Sequence, residues 1–420
     1  MNKKNFFLVA FLFGVLQVPA QVVTDLPIIN KKIESHDVCS SIRLRAWDNC
    51  TGEKRKILSN PLLEAVDIGN LENLKKLIAT GADVNFQNEN GVTALILAAQ
   101  RQDLEMTKLL LKAGASPNLQ ANGNNTALMA AAPSKCTKIT ENLLKAGADI
   151  NVKSSYDYTA LFNAAEANNF EVVKLLVDAG ADIFSSESAS GERSPFIAAV
   201  KRDNLEMVKY FLAKDTERKL NSSFDTALYF ALYGSSNKMA KFFISLGANP
   251  KGGEKKGVPL GMAVSRGNLE MVKYLLNLGA EINIEKGISP LFQAVFSGQT
   301  EVAKYLIEKG ANVNHKYDWS PLTEAARKNH FEIVKLLINA GADVNVRLYD
   351  GWTVLMNAVG NNGAYGENVK IQYEIVKTLI ENGADVNGKD TDEDVTVLMI
   401  AKANNHTEIV QMLLERGAIR

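Results

Sequence analysis

The chain has 420 residues, of which 46% are apolar and 22% charged, and its 47 basic side chains are matched by 47 acidic ones. That balance lacks the basic face and high pI of a nucleic-acid binder. The length fits two or three ordinary domains, or a repeat array, which grows without that limit because each unit contacts only its neighbours.

Residues 1–20 have the form of a secretory signal peptide: Lys3 and Lys4 as the positive start, Phe6 to Val18 as the apolar stretch, and Val18-Pro19-Ala20 as the small-residue cleavage site. Cleavage is expected before Gln21, giving a periplasmic or secreted protein with a bacterial-type leader. The apolar stretch falls short of the roughly 20 residues a membrane span needs, which argues against the competing reading as an anchor. No membrane span is expected after cleavage. Without Lys3 and Lys4 the basic count is 47 − 2 = 45 against 47 acidic, a net of about −2.

Residues 21–59 form an N-terminal non-repeat segment. Arg43, Arg45 and Trp47 alternate with Leu44, Ala46 and Asp48, the period of a short strand, and Cys39 and Cys50 bracket them. In an oxidising compartment these two cysteines suit a disulfide closing a small loop, worth about 2 to 3 kcal/mol. Two free thiols are the competing reading, and a metal site lacks further His or Cys ligands nearby. Cys136 is left over and reads as a small buried hydrophobe.

From residue 60 to 420 one phrase recurs. Gly-Ala stands at Gly81, Gly114, Gly147, Gly180, Gly247, Gly279, Gly310, Gly341, Gly383 and Gly417, at spacings of 33, 33, 33, 67, 32, 31, 31, 42 and 34. Its full form is Gly341-Ala342-Asp343-Val344-Asn345. A period in the low thirties marks a repeat array. Counting 67 as two periods and 42 as one with an insertion gives eleven units. Each unit opens a short helix with a capping Thr or Ser, as at Ser194-Pro195, Ser289-Pro290 and Ser320-Pro321, where Pro occupies the first helical position at no hydrogen-bonding cost. Leu and then a small residue such as Ala98, Ala131, Ala164 or Ala325 follow, letting helices pack closely. A second helix comes next, with apolar Ile333, Val334, Leu336, Leu337 and Ile338 at helical spacing. Gly341 then supplies the left-handed residue that ends it.

Gly91-Val-Thr-Ala-Leu-Ile-Leu-Ala-Ala99 followed by Leu104-Glu-Met-Thr-Lys-Leu-Leu-Leu-Lys-Ala-Gly-Ala115 resembles the ankyrin repeat, and the likeness runs from Asn60 to Arg420. The resemblance implies an all-α solenoid of about eleven helix-turn-helix units with β-turn fingers, a curved array whose concave face and finger tips bind another protein. The chain departs from the family where a His often follows the Thr-Pro-Leu run, holding Ile96, Met129, Phe162, Ile197, Tyr229, Gly261, Phe292, Thr323, Met356 and Met399 instead. Stability is therefore expected to rest more on packing.

Two units are irregular. Lys214-Asp-Thr-Glu-Arg-Lys219 replaces the Gly-Ala closure in the fifth, where either a bend or simple degeneration is expected, and residues 360–368 lengthen the tenth with an expected loop. By the same resemblance the residue before each capping Thr or Ser contacts a partner: Val92, Asn125, Tyr158, Arg193, Asp225, Gly257, Ile288, Trp319, Trp352 and Val395. Trp and Tyr dominate binding hot spots. The candidate contacts are therefore Tyr156, Tyr158, Tyr317, Trp319, Tyr349, Trp352 and, in the tenth-unit insertion, Tyr365. Packing between neighbouring fingers is the competing role for these rings.

Catalytic and metal motifs are weak throughout. His330 and His406 share one repeat position, His36 and His315 are isolated, and no nucleophile elbow, phosphate loop or HExxH occurs. The Asp390-Thr-Asp392-Glu-Asp394 run lacks the Gly and the twelfth-position Glu of a calcium loop. The sequence thus predicts a monomeric, non-catalytic interaction scaffold without metal or cofactor, or alternatively an inhibitor or immunity-type protein that occludes an envelope or toxin enzyme.

Overall fold

In a computed structural model the described residues are 60–184, 193–252, 258–284, 287–315, 319–348, 351–360, 367–391 and 394–419, with backbone alone at 367 and 368. The signal peptide, the segment 21–59, Cys39 and Cys50 lie outside them. Every described residue falls within the compact unit Arg55–Arg420.

The described residues are all-α, and the helices come in pairs. First helices carry odd numbers: α1 Pro61–Asp67, α3 Ala94–Gln100, α5 Ala127–Ala131, α7 Ala160–Glu166, α9 Pro195–Lys201, α11 Phe224–Tyr233, α13 Val258–Ser265, α15 Pro290–Phe296, α17 Pro321–Arg327, α19 Val354–Val359 and α21 Val397–Ala403. Second helices carry even numbers: α2 Leu71–Ala79, α4 Leu104–Lys112, α6 Thr137–Lys145, α8 Phe170–Asp178, α10 Leu205–Lys214, α12 Asn237–Ser245, α14 Leu269–Asn277, α16 Thr300–Glu308, α18 Phe331–Asn339, α20 Glu367–Glu381 and α22 Thr407–Glu415. Each first helix packs on its own second helix and on the next first helix, so the array is a solenoid built on nearest neighbours.

Local chemistry sets each boundary. The hydroxyls of Thr93, Thr126, Thr159, Ser194, Ser289, Ser320, Thr353 and Thr396 each accept the N–H three residues on, capping the first helices. Asn70, Asp103, Asn169, Asn204, Ser236 and Asn268 do the same for second helices. At the far end Gly341, with φ +86°, donates to the Ile338 carbonyl at 3.0 Å while Ala342 donates to Leu337 at 3.0 Å, the double bond that closes a helix through a left-handed residue. Ala98, Ala131, Ala164 and Ala325 are fully buried and let first helices approach closely, within one continuous core.

Between helices the chain makes a finger, and adjacent fingers hydrogen-bond, as where Asn122 N–H donates to Asn90 O at 2.8 Å. A side chain at Gly91 would meet the Gln120 carbonyl at 2.9 Å, so glycine there permits the close approach. Where a Gly-Ala phrase ends in asparagine, that residue ties one finger to the next. Asn314 accepts the Asp343 N–H at 2.8 Å and donates to the Gly341 carbonyl at 3.1 Å. Asn85, Asn118, Asn151, Asn283, Asn345 and Asn387 make the same two bonds to the following unit. The rungs stop where Phe184 and Lys251 stand in the asparagine position and where the fifth unit lacks Gly-Ala altogether.

Three sequence expectations are corrected here. The fifth unit does not degenerate into a loose junction: buried Asp215 caps a 3-10 turn over Lys219–Ser223, accepting the N–H groups of Lys219 at 3.0 Å and Leu220 at 2.7 Å. That turn runs straight into α11, so Asp225 and Thr226 lie inside a helix, where Asp225 accepts the Asn249 N–H at 2.7 Å. The tenth-unit insertion is not all loop, because α20 takes in residues 367–372 and Gln372 reaches back to the Ala358 carbonyl at 2.8 Å. Cys136, expected to be buried, is half-buried and sits at the N-cap of α6, where it makes no capping bond.

Replacing Asn314 with Ala removes one rung and is expected to lower stability by about 1 to 2 kcal/mol. Lys251→Asn, which offers a rung to Gly279, is expected to raise it by up to about 1 kcal/mol. Urea unfolding of the full chain, followed by circular dichroism, measures both.

Candidate partner-binding surface

The finger aromatics divide into exposed and packed members. Tyr156 is 65% exposed, with its ring centroid 6.2 Å from Tyr158. Tyr158 is half-buried and stacks on Phe162 at 4.5 Å with an interplanar angle of 5°, so the finger rests on a ring of the first helix. The Arg193 guanidinium lies 5.9 Å from the Tyr158 ring and donates to the Tyr156 carbonyl at 3.4 Å. Trp319 is half-buried, with the Arg327 guanidinium 5.1 Å from its ring. Trp352 is half-buried against the core, and a side chain added at Gly360 would touch its ring at 3.1 Å. Tyr317, Tyr349 and Tyr365 lie outside the described residues.

The structure brings forward a second set of rings, on the first helices themselves. Tyr229, Tyr233 and Phe296 are 39%, 49% and 43% exposed, and Tyr229 stacks on Tyr233 at 6.5 Å. A cation from the neighbouring unit covers two of these rings and the adjacent Phe230. Lys201 Nζ is 4.2 Å from the Phe230 centroid, the Arg266 guanidinium 4.3 Å from Tyr233, and Lys328 Nζ 3.7 Å from Phe296. The sequence reading missed them because it followed the finger position alone. The available signal was an aromatic repeated one period away as a cation: Tyr233 to Arg266 is 33 residues and Phe296 to Lys328 is 32.

The second-helix face has different electrostatics. Lys75, Lys108, Lys174 and Lys335 each pair with the Glu three residues earlier at 2.6 to 2.9 Å, exposed ion pairs that contribute little. Tyr210, Phe242, Tyr274 and Tyr305 stand between successive second helices, with Lys209, Lys241 and Lys273 5.7, 5.2 and 5.2 Å from the next ring. Their bulk spaces α8, α10, α12 and α14, whose mutual contacts are the sparsest among successive second helices. These rings act as packing, half-buried between helices.

Histidine serves structure in the described residues. His330 and His406 occupy the N-cap position of α18 and α22 without a capping bond, and the Nε2 of each is buried without a hydrogen-bond partner. Burial, reinforced by the Lys328 charge and opposed by Glu324, holds His330 below its ordinary pKa, and burial does the same for His406. No group of three or more His, Cys, Asp or Glu able to hold a metal occurs among the described residues, and no described helix is long and apolar enough to cross a membrane. Asp390, from the calcium-like run, accepts the Val395 N–H at 2.9 Å, while Asp392 is outside the described residues.

Against known families, a model described as ankyrin repeats (3 copies) matches residues 62–154, 161–253, 260–348, 313–390 and 347–420. A search of curated proteins returns no match.

The histidines give a signed pH dependence. Because the fold depresses their pKa, their neutral form contributes full stability above about pH 6.5, and that contribution is lost as the pH falls toward the depressed value and the unfolded chain takes up protons the fold refuses. Melting curves between pH 5 and 7.5 should therefore show a falling midpoint toward acid, and His330→Gln combined with His406→Gln should flatten that part of the profile.

Proposed function

This chain belongs to the ankyrin-repeat family, and on that premise we propose that it is an exported, non-catalytic scaffold that binds a partner protein through its concave face and finger tips. Ankyrin repeats are in general protein–protein interaction modules and typically non-catalytic. The observation that carries the reading is the set of exposed or half-buried aromatic rings on fingers and first helices: Tyr156, Tyr158, Tyr229, Tyr233, Phe296 and Trp319. Each offers large area with little side-chain entropy to lose, and several are pre-oriented by stacking or by a covering cation.

Export rests on the leader composition at residues 1–20, with cleavage before Gln21 and a periplasmic or secreted mature monomer. The partner is another protein, with no nucleic acid and no cofactor. Within this reading the partner is a resident or passing protein that the scaffold localises. The inhibitor reading differs only in requiring that the partner be an enzyme whose active site is covered.

The test is affinity capture from the envelope fraction of the native host with a C-terminally tagged chain, followed by N-terminal mass spectrometry of the bait. The expected result is a bait beginning at Gln21 and one protein recovered in near-stoichiometric amount, lost when Tyr158 and Trp319 are both replaced by Ala while the melting temperature stays within a few degrees. A bait that keeps Met1, or a partner retained by the double variant, contradicts the reading. Loss of folding in that variant would assign the two rings to packing.

A further inference from the structure

The first helices α9 to α17 alternate in chemistry along the stack. Lys201 stands on α9, Phe230 and Tyr233 on α11, Arg266 directly after α13, Phe296 on α15, and Arg327 with Lys328 at the end of α17. Basic and aromatic helices thus take turns across five consecutive units. The contacts are shared between units: Lys201 covers Phe230 at 4.2 Å, Arg266 covers Tyr233 at 4.3 Å, and Lys328 covers Phe296 at 3.7 Å. These helices carry acidic residues only at Asp225 and Glu324. Both are engaged within the fold, Asp225 with the Asn249 N–H and buried Glu324 with Arg327 at 2.7 Å and Lys328 at 3.9 Å. On the second-helix face, by contrast, Lys75, Lys108, Lys174 and Lys335 each pair with an exposed Glu three residues earlier.

We propose that this strip is a docking track for an extended acidic peptide segment whose carboxylates are separated by apolar side chains. The proposal rests on the protein-binding reading above and adds the partner's chemistry and its place on the array. A cation stacked on a ring has its position fixed while its N–H groups remain at the ring edge, which suits it to receive a carboxylate. Arg266 and Lys201 are exposed, and Lys328 is half-buried, donating to the Phe296 carbonyl at 2.9 Å and lying 3.9 Å from Glu324, with desolvation holding its ammonium below the ordinary lysine range. An arriving carboxylate would relieve that cost, and its own apolar neighbours would cover Tyr233 and Phe296. Geometry sets the spacing. Successive packed helices stand about 8 to 10 Å apart, so basic positions two units apart are separated by about 16 to 20 Å. An extended chain advances about 3.3 Å per residue, placing the carboxylates roughly five or six residues apart with an apolar side chain midway and the whole track at about a dozen residues. Charge complementarity selects an acidic peptide over a basic one, and the near-neutral chain as a whole favours a peptide over a nucleic acid.

Fluorescence anisotropy with labelled synthetic dodecamers tests the proposal on the full chain. The first probe carries three Asp at six- and five-residue intervals with Phe and Leu between them, the second has Asn in place of Asp, the third has Lys in place of Asp, and the fourth is a twelve-nucleotide oligothymidine. The expected result is binding of the Asp peptide, at least tenfold weaker binding of the Asn and Lys peptides and of the oligonucleotide, and weakening with added salt. Arg266→Glu and Tyr233→Ala should each reduce affinity for the Asp peptide at least tenfold, whereas Lys108→Glu on the second-helix face should leave it unchanged. Because Arg266 and Tyr233 are exposed, unaltered melting curves will show that the variants are folded. Equal binding of the Asn peptide, tighter binding of the oligonucleotide, or full affinity in Arg266→Glu overturns the proposal. A native partner that is captured as above yet binds Arg266→Glu undiminished would overturn this track while leaving the protein-binding reading in place.

Discussion

The asparagine that ends seven of the ten Gly-Ala phrases is the contact on which the array's regularity depends. Its amide presents one acceptor and one donor, and it places them on the N–H and C=O of the following unit's closing turn, as Asn314 does with Asp343 and Gly341. That two-point match requires the next turn to have its Gly at positive φ and its helix ended at the right residue. Each unit therefore sets the position of its successor through backbone groups rather than side-chain bulk. Glycine in the closing turn, the capping hydroxyl and the small core alanines all serve that same register.

Where the rungs stop, the rest of the structure changes character. From Phe184 to Lys251 the finger ties are replaced by other devices: the Asp215 carboxylate caps a 3-10 turn, Asp225 reaches the Asn249 N–H from within α11, and Phe196 and Phe224 each pack against the Phe243 ring in the core. Second helices α8 to α14 are held apart by Tyr210, Phe242 and Tyr274. The alternating basic and aromatic strip begins in this same stretch, on α9 and α11.

Much of this was legible in the sequence, because a period near 33 and the residues that cap and close helices act locally. Thr93, Ser194 and Gly341 can be assigned their tasks from neighbours three or four residues away. The rungs were not legible, since Asn85 meets Gly114 and Ser116 some 30 residues on, and nothing in the local phrase distinguishes a solvated Asn from a bridging one. The start of α11 was misplaced because Thr226 imitates a capping residue while Asp215, eleven positions earlier, supplies the actual turn. The helical start of α20 was hidden by the Gly and Asn residues that precede it. Of the candidate contacts, Tyr156, Tyr158, Trp319 and Trp352 were found by their finger position, whereas Tyr229, Tyr233 and Phe296 required knowing which helix faces repeat.

Two laddered blocks, one ending near Asp182 and one beginning near Asn283, flank a stretch coupled by other means. Trp319 and Trp352 both lie in the second block, so in a Trp47→Phe chain tryptophan fluorescence follows that block while far-ultraviolet circular dichroism follows all helices. Equilibrium urea unfolding recorded by both signals distinguishes such a divided array from a single cooperative unit, whose curves would coincide. Separated midpoints are the predicted result, and superimposable curves for the two probes would contradict it.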